Sequence, residues 1–583
     1  MCCDFVDSKW SLCAFGSNSS GQLGTGSLED HHQPTICTFA IPTQTFSTEL
    51  NCGNTLSNKV PVPVCLKDKA NSESPIIVSG ANHSFLYWKN LPLLYGCGSI
   101  SEGELGPFKF NPPTPLLSEN NTNCIPVWHL LETPSIEHPP PTNQSLSSHN
   151  HNHSCPLFQS CHNISQISVG WNHSILLTSS GNLFSTGNNS FGQCGFPSSK
   201  SPPLKNCWNP IYLFSLYVED PIIRISSGLR HSVAISKNGI VFGWGSNSKN
   251  QLYPHIPPSL IQNSNVSNVP SSFPDSSSSI ADPKSKITNI PSSDPKSAKG
   301  TRPKKQKISK ILPPTILISL ENIIDVACGR NHTALITFHR KGCFSLKKKY
   351  SLRLYSTGSP HIFSNLSCSL PIQQLNTTWS FLDISPFFSD CLSSNALYLD
   401  HSLLSSWDSV FVLSKKRNDE IKNKNKNSII FAFGSSKLGT MGPNNPNDSK
   451  KEIPIDTVSQ NPNNPVIMSS NSPLNGSNLE KNIFSVNLNI QSLCSNSSLQ
   501  SFITEISCGS YHVIARTNTN DVVCWGWNEH GNCGVLPTAS DTNSAQNEII
   551  CWPPVKVPCP DYIITYPCHV FSGYATSFIV FKQ

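Results

Sequence analysis

The sequence predicts an all-β fold: a propeller of seven blades, closed by pairing of its N- and C-terminal strands. Three observations lead there. Two short units alternate along the chain, each seven times. No helical periodicity separates them. The chain opens on one kind of unit and ends on the other, so each terminal unit lacks a mate in sequence and can find one only in the other.

The first unit is a strand running into a glycine-rich turn. It reads "CAFGSNSSGQLGTG" from Cys13, "LLYGCGSISEGELG" from Leu93, "LFSTGNNSFGQCGF" from Leu183 and "VFGWGSNSKNQL" from Val241. It continues as a worn "RLYSTGSPHIF" from Arg353, "FAFGSSKLGTMG" from Phe431 and "CWGWNEHGNCG" from Cys524. The second unit is a turn running into an apolar strand. Its copies are "VSGANHSFLYW" from Val78, "SVGWNHSILLT" from Ser168, "SSGLRHSVAIS" from Ser226 and "ACGRNHTALIT" from Ala327, then "LSSWDSVFVLS" from Leu404, "SCGSYHVIART" from Ser507 and "FSGYATSFIVF" from Phe571. Turns such as "SSGN" and "SKNG" join the second unit to the first, which makes antiparallel hairpins. One hairpin cannot bury both faces, whereas a closed ring of them can, and closure removes the exposed sheet edges.

Composition narrows the function. Only 13% of the 583 residues are charged, and the net charge is +6. The basic residues fall in polar tracts rather than along one element, so no direct nucleic-acid contact is expected. The start lacks a basic segment followed by an apolar one, and no apolar run is long enough for a membrane span. The 23 cysteines have no framework spacing and read as reduced thiols of a cytoplasmic and nuclear protein. Ranges rich in Ser, Asn and Pro, at about 27–72, 107–162, 254–318, 443–500 and 536–556, read as disordered loop inserts within the single propeller domain 1–583.

The patterns "GxNHS" and "WGxNxxGQLG" resemble the regulator of chromosome condensation repeat family, whose members form seven-bladed propellers. "VFGWGSNSKNQL", "CWGWNEHGNCG" and "FSGYATSFIVF" are similar to blades of one divergent member. The resemblance implies a non-enzymatic protein without cofactor. Its partner would be a small CSL-type zinc protein, bound as a heterodimer, in support of diphthamide synthesis and Elongator-dependent modification of tRNA wobble uridines. The alternative from the same family is guanine nucleotide exchange on a small GTPase.

"CWGWNEHGNCG" holds Cys524, Glu529, His530 and Cys533, yet most sister turns carry no metal-ligating residue at those positions. The spacing matches no usual zinc pair, so no metal site is expected. The five histidines His83, His173, His231, His332 and His512 recur at one position and read as structural. The tract of residues 148–162, with His149, His151, His153, Cys155, Cys161 and His162, lies in an insert, as does "RPKKQK" at 302–307. No phosphate-binding glycine loop, nucleophile elbow or carboxylate pair is present. What the repeat leaves unexplained is Trp527, Glu529 and His530, which replace small polar residues, together with the added Trp171. These residues have the character of a partner-binding hot spot. Trp244 and Lys249 extend that surface if the two turns emerge on one face.

Overall fold

The computed structural model describes residues 5–41, 56–110, 123–134, 161–196, 206–213, 220–254, 309–341, 349–359, 362–363, 372–375, 378–388, 399–416, 429–435, 437–440, 484–485, 503–536, 550–558 and 568–582. Seven sheets radiate from a common axis. The innermost strands are, in order, Ile76–Ser79 of blade I, Ile164–Val169 of II, Ile222–Ser227 of III, Ile323–Cys328 of IV, Leu399–Ser405 of V, Ile503–Cys508 of VI and Cys568–Ser572 of VII. Each packs beside the next, and VII packs beside I.

Within a blade the strands run outward by antiparallel hairpins. Blade II shows the plan: Ile164–Val169, His173–Thr178, Leu183–Gly187 and Asn209–Ile211. Blade VII is assembled from both ends of the chain. Its order is Cys568–Ser572, Thr576–Lys582, Trp10–Gly16 and His31–Ile36, with Gly16 opposite Thr576 and Cys13 opposite Ile579. The two unpaired units do close the ring.

The core lies between blades. Ile175, Leu177 and Ile211 of blade II meet Ile225, Ala234, Phe242 and Trp244 of blade III. Phe411 and Leu413 of blade V meet Val513, Ala515 and Trp525 of blade VI.

The ranges read as inserts need correction. They contain outer strands: His31–Ile36, Cys124–Leu130, Ile311–Ser319 and Ile550–Lys556. His31–Ile36, Ile311–Ser319 and Ile550–Lys556 pair along one edge only, so they need no repeat signature and tolerate proline, whereas Cys124–Leu130 is flanked on its outer edge by Phe39–Ala40. "ILPPTILIS" and "ICWPPVK" each carry two prolines. The first range also holds a short helix, Lys67–Ser72, whose Ala70 carbonyl accepts the indole N–H of both Trp10 (2.9 Å) and Trp88 (3.0 Å). The helix thus ties blade VII to blade I. Most of the remaining insert residues, including 148–160 and 302–307, lie outside the described residues.

Candidate functional site

Both repeat turns emerge on the same face. In blade II the turn before His173 and the turn after Gly187 meet through His173 opposite Gly187 and through Asn188 N–H donating to the Asn172 carbonyl at 2.7 Å. Blade VI repeats this, with Trp527 N–H donating to the Tyr511 carbonyl at 2.9 Å.

The histidines explain why this face is stiff. Each sits fully buried and reaches the next blade. His83 Nε2 meets Ser174 Oγ at 2.8 Å, His173 meets Ser232 at 2.9 Å, His231 meets Thr333 Oγ1 at 3.3 Å and His512 meets Ser577 at 3.0 Å. Those hydroxyls donate onward to carbonyls of the preceding blade's glycine-rich turn, at Glu104, Gln193, Gln251 and Asn532. A hydroxyl that donates onward must accept from the imidazole, which fixes the ring proton on Nε2. The Nδ1 atoms of His83, His173, His231 and His512 have no partner. Burial therefore lowers the histidine pKa, to about 3 at His83, His173 and His231 and about 4 at His512. The glycine three residues earlier is there for space. A Cβ on Gly170 would lie 2.0 Å from His173 Cε1. The repeated "GxNHS" is a blade-to-blade clamp, in which each Nε2 is committed to the next blade and each ring is buried.

At the rim of the same face sits the candidate site. Trp525 and Trp527 are two residues apart in Val522–Trp527 and would share a side of an ideal strand. Gly526 between them has φ of +102°, a conformation that L side chains rarely adopt. It turns Trp527 outward. Trp525 is fully buried and donates to the Thr440 carbonyl of blade V at 3.0 Å. Trp527 is half-buried, and its Nε1 donates to Glu529 Oε2 at 3.1 Å. The His530 ring stands edge-on to it at 5.3 Å. His530 Nδ1 lies 2.8 Å from Asp30 Oδ2 of blade VII. The three residues singled out from sequence form one cluster, and Asp30 completes it.

The other predicted site residues fall elsewhere. Trp244 is fully buried, and its Nε1 donates to the Gln193 carbonyl of blade II at 2.9 Å. It is the counterpart of Trp525, a packing residue between blades, and is withdrawn from the surface. Lys249 is exposed on the same face, in blade III. Trp171 lies at the mouth of the central channel, beside Trp407 (5.9 Å) and Tyr574 (5.7 Å). Trp407 and Tyr574 occupy the position of Trp171 in their own repeats, so aligning the turns would have found them.

Cys524 and Cys533 of "CWGWNEHGNCG" face an apolar core between blades VI and VII, with Cys13, Phe15 and Ile579. Burial pushes the Cys533 thiol well up. Among the described residues no group of three or more His, Cys, Asp or Glu could hold a metal ion. A cavity of about 630 Å³ opens near the turns of the opposite face, lined by Phe184, Trp208, Tyr212 and Asp220 among others.

The protein is a seven-bladed repeat propeller whose variable turns crowd one face. The regulator of chromosome condensation (RCC1) repeat matches residues 164–193, 222–251 and 503–532, and again 180–235. The chain therefore carries repeats of that family on a seven-bladed propeller. It is 27% identical over 241 residues to the secretion-regulating guanine nucleotide exchange factor of Bos taurus, covering 41% of this chain and 36% of that protein. It is 37% identical over 89 residues to the ultraviolet-B receptor UVR8 of Arabidopsis thaliana, covering 15% and 19%. The chain thus spans little more than a third, at most, of the length of these curated relatives. The structure of Prp20p from Saccharomyces cerevisiae superposes with a TM-score of 0.51 at 14% identity, covering 100% of this chain and 93% of that one, which is a likeness of fold.

Proposed function

We propose that this propeller is a non-enzymatic scaffold whose rim cluster binds a small CSL-type zinc protein as a heterodimer. In that role it would resemble the family's α-tubulin suppressor, also called the killer-toxin-insensitivity protein. The pair would serve diphthamide synthesis and Elongator-dependent wobble-uridine modification, in cytoplasm and nucleus. The observation that carries this is the Trp527 cluster. An indole turned out of the blade by Gly526, then held by Glu529 and His530, is a pre-ordered hot-spot side chain. The carboxylates of Glu529 and Asp30 surround it, which favours a basic contact surface on the partner. The test is to mix the purified propeller with the small zinc protein and measure the mass of the eluted complex. A one-to-one complex that dissociates when Trp527 is replaced by Ala supports the proposal. Two separate peaks at micromolar concentration refute it.

A second reading is guanine nucleotide exchange on a small GTPase, favoured by the similarity to the bovine exchange factor. It is separated by a nucleotide-release assay on the cell's own small GTPases. Strong acceleration by the propeller would replace the scaffold reading.

A further inference from the structure

The mouth of the central channel has no part in the rim cluster, yet the sequence has filled it deliberately. The residue after the turn's glycine, or after Ser406 in blade V, is Ala81, Trp171, Leu229, Arg330, Trp407, Ser510 and Tyr574 around the ring. The clamp makes no demand on this position. Backbone bonds lock the turns to one another: Trp171 N–H to Leu229, Arg330 to Trp407, Trp407 to Ser510, Ser510 to Tyr574 and Tyr574 to Gly80. The side chains are thereby presented on a rigid ring.

They sort into two arcs. Trp171, Trp407 and Tyr574 touch one another across the mouth, and Tyr511 stands edge-on to Trp407 at 5.3 Å, donating its hydroxyl to Asp408 at 2.8 Å. Beside this arc, blades III and IV present Arg230, Lys249 and Arg330, all exposed. The Arg230 guanidinium lies 4.3 Å from the Phe191 ring and that of Arg330 5.1 Å from the Trp407 ring. No carboxylate among the described residues forms an ion pair with any of these three cations. One carboxylate, Asp408, stands at the mouth itself and is taken up by the Tyr511 hydroxyl; Glu102, Glu29, Asp30 and Glu529 lie on the turns of blades I, VI and VII.

We propose that the channel mouth is a second docking site, independent of the rim cluster, for an acidic segment of a protein partner that carries an aromatic residue. The partner's aromatic ring would lie against Trp171 and Trp407, and its carboxylates would pair with Arg330, Arg230 and Lys249. Arginine stacked on an aromatic ring is pre-set to grip a carboxylate with two parallel bonds. Nucleic acid fits less well, because three cations on two blades do not make the continuous basic track a phosphate backbone follows.

The probe is a synthetic peptide of four glutamates around one phenylalanine, followed by tryptophan fluorescence of the full chain. Saturable binding is expected, weakened at least tenfold by Arg330→Glu and by raising salt, and unchanged by Trp527→Ala. Trp407→Ala should also abolish it, and Arg330→Glu, being at an exposed position, covers the case in which Trp407→Ala unfolds the ring. Equal binding of the matching lysine peptide, full binding by Arg330→Glu, or no saturation up to about 1 mM would overturn the proposal. So would tighter binding of oligothymidylate at the same residues, which would make the mouth a nucleic-acid site.

Discussion

Histidine and the residue two places before it belong to the same turn and have opposite fates. His173 is fully buried and bonded to the next blade, whereas Trp171 stands at the channel mouth. The first position recurs because every blade needs the same clamp. The second varies because no blade needs anything there, so it is free to record a partner. In a repeat protein the repeated residues explain the ring, and the departures from the repeat carry the function.

The comparison breaks most violently if the ring is opened. Deleting 576–582 removes the strand between Cys568–Ser572 and Trp10–Gly16, with Phe578, Ile579, Val580 and Phe581 all fully buried. Four such side chains are worth roughly 6–12 kcal/mol, comparable with the whole stability of a typical domain. Loss of a cooperative melt is expected. A truncated chain that still melts in one transition would mean that blade VII does not close the ring.

Acid should attack the clamp and spare the turns. The folded pKa values of His83, His173, His231 and His512 lie below the ordinary 6.5. The unfolded chain then binds protons that the folded one refuses. The histidine contribution is complete above pH 6.5 and is lost as pH falls toward 3 to 4, by up to ~1.4 kcal/mol per pH unit for each histidine. Melting temperature should fall steeply over that window. A flat profile from pH 7 to pH 4.5 would show that the rings are protonated in the fold.

A single methyl group tests the clamp more finely. Gly170→Ala should cost ~2–3 kcal/mol, because its Cβ meets the His173 ring. Adding His173→Ala should return part of that loss, measured as a coupling in denaturant melts. Strict additivity would place the cost in the backbone. Smaller still is Cys533→Ser, which should lower stability by about 1–2 kcal/mol and leave partner binding unchanged. Stoichiometric metal in the wild type, lost in this variant, would restore a metal reading of "CWGWNEHGNCG".

Much of this was legible in sequence. The blade number, the pairing of the Cys13–Gly16 strand with Ser577–Phe581 in one blade and the departure of Trp527, Glu529 and His530 from the repeat all follow from which positions repeat and which do not. Asp30 was not legible. It lies in a polar range without repeat signature and meets His530 only because Gly531 lets the blade VI turn approach His32 closely. Outer strands such as Ile311–Ser319 escaped for a related reason, since one-sided pairing leaves them no fixed pattern. Trp244 misled because a tryptophan beside glycines looks alike whether it packs between blades or faces solvent. Its Phe and Cys counterparts at Phe15 and Cys97, both fully buried, were the available signal.

The most direct test of the account is titration calorimetry of the small zinc protein into the wild type and into Trp527→Ala, with the melting temperature of each. The account predicts binding weakened by ~2 kcal/mol or more and a melting temperature nearly unchanged, because Trp527 is turned out of the blade by Gly526. A variant that melts far earlier while its folded fraction binds at full strength would make Trp527 a packing residue like Trp525 and place the partner surface elsewhere.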